Sequence, residues 1–203
     1  MSFKKLNSEL REKLESNGFK EALPFQKKII SNIKSGSNIY VIGPAGIGKS
    51  TALVISTLNK LNYQSVEDAP RAVILVKDKE AALAMEENFR QFTKPRDIRV
   101  YSAYEQGKIE DQREEIYIGI DVLIATPKRL SKLYFQNGIN LKILQLFIIE
   151  DAQFLERMNF ITEIIRLSES ISKCQYVIFA DSFTPKLNKF KTHFMQQSIL
   201  LKN

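Results

Sequence analysis

One cysteine, Cys174, and one histidine, His193, are the only thiol and imidazole in 203 residues. A lone thiol can form no disulfide within the chain and suits a reducing compartment, so a cytoplasmic protein is expected. Together the two residues fall short of a zinc-ligand set, and neither is assigned to metal. No apolar run approaches the roughly 20 residues of a membrane helix, so no membrane association is expected. The opening Met1-Ser2-Phe3-Lys4-Lys5 leads into a polar helical pattern, not into the apolar stretch of a secretion signal. Internal repeats and low-complexity stretches are lacking as well. The composition that remains, 44% hydrophobic and 26% charged, is that of a globular chain able to bury a core. Acidic residues are outnumbered 23 to 30, and the net charge of +7 favours a polyanionic partner.

The most informative stretch is Gly43, Pro44, Ala45, Gly46, Ile47, Gly48, Lys49, Ser50 and Thr51. It fits G-x-x-x-x-G-K-[ST], the phosphate-binding loop of nucleoside triphosphatases. Glycines at 43, 46 and 48 let the backbone curl until successive N–H groups point at phosphate oxygens. Lys49 can then reach the β- and γ-phosphates, and the Ser50 hydroxyl can ligate Mg²⁺. The setting agrees: residues 38–42 read as a short buried strand. Leu53, Val54, Leu58 and Leu61 recur at helical spacing behind the loop.

Around this loop, short apolar runs alternate with helical patterns. Asn7 can cap a helix over 8–17, and Pro24 can start another over 24–34. Strands are expected near 72–76, 98–102, 121–125, 145–149, 175–180 and 198–201. Helices are expected near 78–91, 110–117, 127–135, 154–170 and 185–194. Continuous apolar strands, each followed by a helix, predict a mostly parallel central sheet with helices on both faces. With the P-loop, this predicts an α/β fold, a RecA-like P-loop NTPase domain spanning 1–203. A helical region over 1–37 precedes a core over 38–203. Such an enzyme needs acids at the end of a neighbouring strand, and Leu146 to Ile149 lead into Glu150 and Asp151.

These residues, in this order, resemble the first RecA-like domain of the DEAD-box ATP-dependent RNA helicases. Phe3 resembles the family's isolated upstream aromatic, and Gly18-Phe19 with Gln26 resembles its Q motif. The resemblance implies that Phe19 packs on adenine and Gln26 reads its edge, giving ATP as the nucleotide. Residues 43–51 stand at motif I, Lys77 to Ala81 at motif Ia, and Thr126, Pro127, Lys128, Arg129 and Leu130 at motif Ib. Glu150-Asp151-Ala152-Gln153 takes the place of the name-giving tetrad, and Ala180-Asp181-Ser182 that of Ser-Ala-Thr. The resemblance thus implies Lys49, Glu150 and Asp151 in catalysis, with Ser50 and Glu150 at Mg²⁺. It implies RNA backbone contacts from Lys79, Thr126, Pro127, Lys128 and Arg129. Gln153, Ala180, Asp181 and Ser182 fall where the family couples hydrolysis to strand separation.

The departures are specific. The first two acids are swapped, so Glu150 reaches farther toward the metal and Asp151 holds the expected base about one methylene short. The fourth acid is Gln153, and the serine of Ser-Ala-Thr is Ala180. No double glycine stands near Ala103-Tyr104-Glu105, and Lys128 replaces the glycine of motif Ib. The reading is the ATP-binding domain of an RNA helicase. It is expected to be a monomer and part of a longer protein whose C-terminal RecA-like domain completes the RNA cleft. Two alternatives stand beside it: a hydrolysis-impaired, ATP-dependent RNA clamp or scaffold, and a DNA-acting RecA-like ATPase.

Overall fold

Each apolar run becomes a strand because both of its faces are covered. A computed structural model describes residues 3–93, 98–158, 160–171 and 173–203. Its strands are β1 (Ile39–Ile42), β2 (Ala72–Leu75), β3 (Val100–Ala103), β4 (Val122–Ala125), β5 (Leu146–Ile149), β6 (Gln175–Ala180) and β7 (Ile199–Lys202). All pair in parallel, in the order β3-β4-β2-β5-β6-β1-β7.

The helices are α1 (Ser8–Ser16), α2 (Pro24–Ser35), α3 (Lys49–Lys60), α4 (Lys79–Arg90), α5 (Ile109–Ile118), α6 (Pro127–Phe135), α7 (Gln153–Met158), α8 (Ile161–Glu169) and α9 (Pro185–Asn188). Side chains alternate across the sheet, as a period of two requires. Ile39, Val41, Ile74, Ile124, Ile148 and Phe179 face a core closed by α1 to α4. Tyr40, Leu75, Leu123, Phe147, Ile149 and Ile178 face a second core, closed largely by α6 to α8. Phe3 is buried in the first of these cores, which accounts for the upstream aromatic as packing.

Three expectations are corrected. The single helix over 154–170 divides into α7 and α8, with Phe160 N–H reaching back to Leu155 O at 3.2 Å where the second begins; Asn159 lies outside the described residues. The helix expected over 185–194 is one turn, α9, followed by a 3₁₀ turn over Lys189–Thr192. The third strand starts at Val100, two residues later than expected.

The amino-terminal edge of the sheet is locked by charge. Asp121, fully buried just before β4, accepts from Arg71 Nη2 at 2.8 Å, Arg99 Nε at 3.0 Å, Arg99 N at 2.9 Å and Val66 N at 3.1 Å. Arg71 precedes β2 and Arg99 precedes β3, so one carboxylate ties three strand starts together. Burial alone would raise the Asp121 pKa. The hydrogen bonds from Arg99, Arg71 and Val66 outweigh it and hold the carboxyl below the ordinary aspartate value.

Removing one member of a buried pair strands the others, so Asp121→Ala is expected to cost about 3–5 kcal/mol in urea unfolding. A depressed carboxylate stabilises above its unfolded pKa of about 3.9 and loses that stabilisation as pH falls through the folded value. The advantage of the natural chain over Asp121→Asn is therefore greatest near neutrality and shrinks in acid below about pH 4. A difference that stays constant with pH would contradict this account.

Candidate nucleotide site

The chain leaves β1 at Ile42 and turns through Gly43 to Gly48 into α3. Gly46 and Gly48 both have φ +82°, a region that costs other residues strain. Gly48 is also pressed against a neighbour: a Cβ there would run into the Gln26 amide. That amide arrives because Pro24 starts α2 and places Gln26 on its buried face. Gln26 Oε1 accepts from Leu23 N–H at 2.9 Å, and Nε2 donates to Gly48 O at 3.1 Å. One side chain thus braces both a helix start and the loop. An amide has two N–H groups and two lone pairs, so one of each remains for a ligand. Phe19 is half-buried, its ring meeting Phe92 edge-on at 5.2 Å between centroids.

Ser50, in the first turn of α3, and Glu150, just past the end of β5, come together. Ser50 Oγ donates to Glu150 Oε1 at 2.9 Å, so the longer acid of the swapped pair reaches the P-loop hydroxyl directly. A hydroxyl beside a carboxylate is a hard oxygen donor set of the kind Mg²⁺ takes, and these residues fit that ion. Burial pushes the Glu150 carboxyl above its ordinary value. The Ser50 hydrogen bond opposes the rise, the Asp151 charge adds to it, and Lys49 and Lys77 oppose it.

Lys49 does not point into an open cradle. Its Nζ lies 2.6 Å from Asp181 Oδ1 and 3.5 Å from Ala180 O, and it also donates to Gly43 O. Strand order explains the contact: β6 lies between β1 and β5, so the residue that follows Ala180 emerges between the P-loop and Glu150.

Asp151 is exposed and left-handed, with φ 52°, a conformation that aspartate tolerates better than most residues. The next residue is fixed to the neighbouring strand, Ala152 N donating to Phe179 O at 2.8 Å. Gln153 then links the two strand ends. With its amide nitrogen toward Asp151, it donates to Asp151 Oδ1 at 2.6 Å. Its oxygen accepts from the N–H groups of Ser182 at 3.0 Å and Asp181 at 2.5 Å. The reverse orientation would set the amide oxygen against a carboxylate. Gln153 is therefore bonded to residues 181 and 182 through their backbone, while the carbonyl of Ala180 accepts from Gly43 N at 3.1 Å.

The residues expected at nucleic acid divide. Lys128 is exposed, and Lys79 is half-buried with Nζ 5.4 Å from the centre of the Tyr104 ring. Thr126, Pro127 and Arg129 are buried. Thr126 Oγ1 donates to Glu105 Oε2 at 2.8 Å, and Arg129 Nη2 donates to the carbonyls of Glu105 at 2.9 Å and Gly107 at 3.0 Å. The side chains of Thr126 and Arg129 are thus bonded to the loop that stands where a double glycine was missing. Neither the Lys49–Asp181 pair nor the Thr126–Glu105 pair was foreseen. Both join residues remote in sequence, and the order of the strands is the signal that finds them.

The family model for DEAD/DEAH box helicase matches residues 23–190. ATP-dependent RNA helicase DBP10 of Meyerozyma guilliermondii is 26% identical over 198 residues, which is 97% of this chain and 22% of that protein. The DEAD-box ATP-dependent RNA helicase CshA of Streptococcus pneumoniae is 25% identical over 199 residues, 97% of this chain and 38% of its own length. The chain thus spans well under half the length of these curated relatives. Among solved structures, a DEAD box protein from Methanococcus jannaschii gives a TM-score of 0.90 at 18% identity, covering 100% of this chain and 56% of that one. The yeast DEAD-box splicing factor Prp28 gives 0.88 at 20% identity, covering 97% and 49%. These two likenesses establish the RecA-like fold. A model match that starts beside the Q-motif helix and runs past β6 joins that fold to the P-loop and the acids of β5, and the chain belongs to the DEAD/DEAH box helicase family.

Proposed function

We propose that this chain is the ATP-binding, RNA-contacting first RecA-like domain of a DEAD-box RNA helicase, working with a second RecA-like domain. The observation that carries the reading is the meeting of Ser50 and Glu150 at 2.9 Å beside a P-loop that Gln26 braces from α2. In this reading the N–H groups of the loop and of the first turn of α3 hold phosphate oxygens. Lys49 adds a charge that follows the phosphates, and Ser50 and Glu150 hold Mg²⁺. The bound ion neutralises charge that develops on the phosphates during transfer. Gln26 offers its free N–H and lone pair to the adenine edge, and Phe19 its exposed ring surface. Asp151 is the group nearest in kind to a base for the attacking water, held in place by Gln153.

The clamp reading keeps one observation in its favour. The carboxylate that would orient water already accepts from Gln153 at 2.6 Å, which occupies a lone pair that water would need. Binding without turnover by the chain joined to its second domain would select the clamp.

Calorimetry with ATP, ADP and GTP in Mg²⁺ tests the nucleotide site. ATP is expected to bind more tightly than GTP, and Lys49→Ala to lose about 10- to 100-fold. Gln26→Ala is expected to weaken every nucleotide, through the lost Gly48 brace, and to erase the preference for ATP. An ATP preference that survives in that variant would remove Gln26 from adenine recognition.

For RNA, fluorescence anisotropy with a single-stranded oligonucleotide over a salt series is the measurement. Lys128→Ala should weaken binding and lower the salt slope by about one. Glu105→Gln should strengthen binding, since it removes a negative charge from the patch and keeps an acceptor for Thr126. Equal affinity of both variants and the natural chain would move the interface elsewhere.

A further inference from the structure

We infer that Asp181 is an internal competitor of the nucleotide: its carboxylate occupies Lys49 and must be displaced before that lysine can serve phosphate. The inference rests on the ATP-binding reading above and adds to it a residue that sets affinity.

Three features of the geometry support it. First, Lys49 Nζ and Asp181 Oδ1 are 2.6 Å apart, a full charge-assisted hydrogen bond made by the ammonium that the P-loop motif reserves for phosphate. Second, the two partners differ in freedom. The Lys49 side chain is 15% exposed and stays over the loop, whereas that of Asp181 is 55% exposed and can rotate into water. A pair so open to solvent is weak enough for a ligand to break, as exposed ion pairs generally are. Third, Asp181 is presented from behind. Its N–H and that of Ser182 donate to Gln153, which also holds Asp151, so the carboxylate projects from a fixed strand end.

The competition follows from charge. Phosphate oxygens and the Asp181 carboxylate seek the same donors, and the two anions repel each other at this range. A nucleotide therefore enters with an added cost that a neutral residue at 181 would not impose. Once displaced, the carboxylate swings toward solvent while its backbone stays bonded to Gln153. Lys49 then keeps only the carbonyls of Gly43 and Ala180 beside the phosphates.

The test uses calorimetry with ATP and Mg²⁺ on the full chain, comparing the natural sequence with Asp181→Ala and Asp181→Asn, each with Lys49 intact and as Lys49→Ala. A second readout needs no nucleotide: the rate of Lys49 reductive methylation, followed by peptide mass spectrometry. Competition predicts about 3- to 10-fold tighter ATP binding in both Asp181 variants, a gain that shrinks at high salt. It also predicts that the gain is lost in the Lys49→Ala background and that Lys49 is methylated faster in both Asp181 variants. Unchanged or weaker ATP binding in the Asp181 variants overturns the proposal. So does a gain that persists fully without Lys49, which would mean simple repulsion of phosphate. Faster methylation with no ATP binding by any variant would show that the ion pair is real and the nucleotide reading wrong, and competition would fall with that reading.

Discussion

A parallel sheet delivers the carboxyl end of every strand to one edge, and the site depends on that constraint. Ile42, Ile149 and Ala180 end β1, β5 and β6, and the residues that follow them are the P-loop, the paired acids and Asp181. The order β5-β6-β1 then decides who meets whom. The strand that carries Glu150 is not beside the strand that carries the P-loop; β6 lies between them. Glu150 must reach across that gap to Ser50, and a glutamate is long enough to do so at 2.9 Å. The residue at the tip of β6 falls between loop and acids whatever its type, and here it is an aspartate.

The two edges of the sheet handle charge differently. At the amino-terminal edge Asp121 is fully buried, and its oxygens are satisfied by two arginines and two backbone N–H groups. That carboxylate is fully engaged within the chain, and three strand starts are fixed. At the carboxyl edge the polar groups range from buried Gln26 to exposed Asp151 and are only partly matched. Gln26 keeps a free N–H, Asp151 sits in a left-handed turn, and Lys49 holds an aspartate that water can take back. Rigidity at one edge is what allows loosely held groups at the other to keep their places.

Much of this was legible in the sequence because it is local. The P-loop, its strand and its helix occupy 22 consecutive positions from Ile39 to Lys60, and the loop motif with the apolar pattern on either side located them. Strands β1, β2, β4, β5 and β6 stood out because buried parallel strands are continuous apolar runs. The break between α7 and α8 was not legible, since both halves carry the same helical spacing and the end of the first is set by how it packs. The shortness of α9 has the same cause: Leu187 and Phe190 are both buried, but in successive turns of different pitch. The fate of Arg129 was hidden for another reason. Its sequence neighbours suggested a basic patch, while its partners, the carbonyls of Glu105 and Gly107, lie more than 20 residues away in a loop with no motif of its own.

The departures from the family pattern make more sense together than one at a time. A swap that lengthens residue 150 by a methylene lets it span to Ser50. The same swap shortens residue 151, and the left-handed backbone there, with Gln153 as its anchor, decides where the shorter carboxylate points. Gln153 is able to anchor because an amide, unlike the acid it replaces, both donates to a carboxylate and accepts from N–H groups. An acid at 153 would face Asp151 with like charge. With the backbone of 181 and 182 already bonded to Gln153, no hydroxyl is required at 180, and alanine suffices there. The charge absent from position 153 reappears at Asp181, where it lies against Lys49 instead of against Glu150 and Asp151. The negative charge in this cleft thus lies not at position 153 but at Asp181, and its partner is Lys49 of the P-loop.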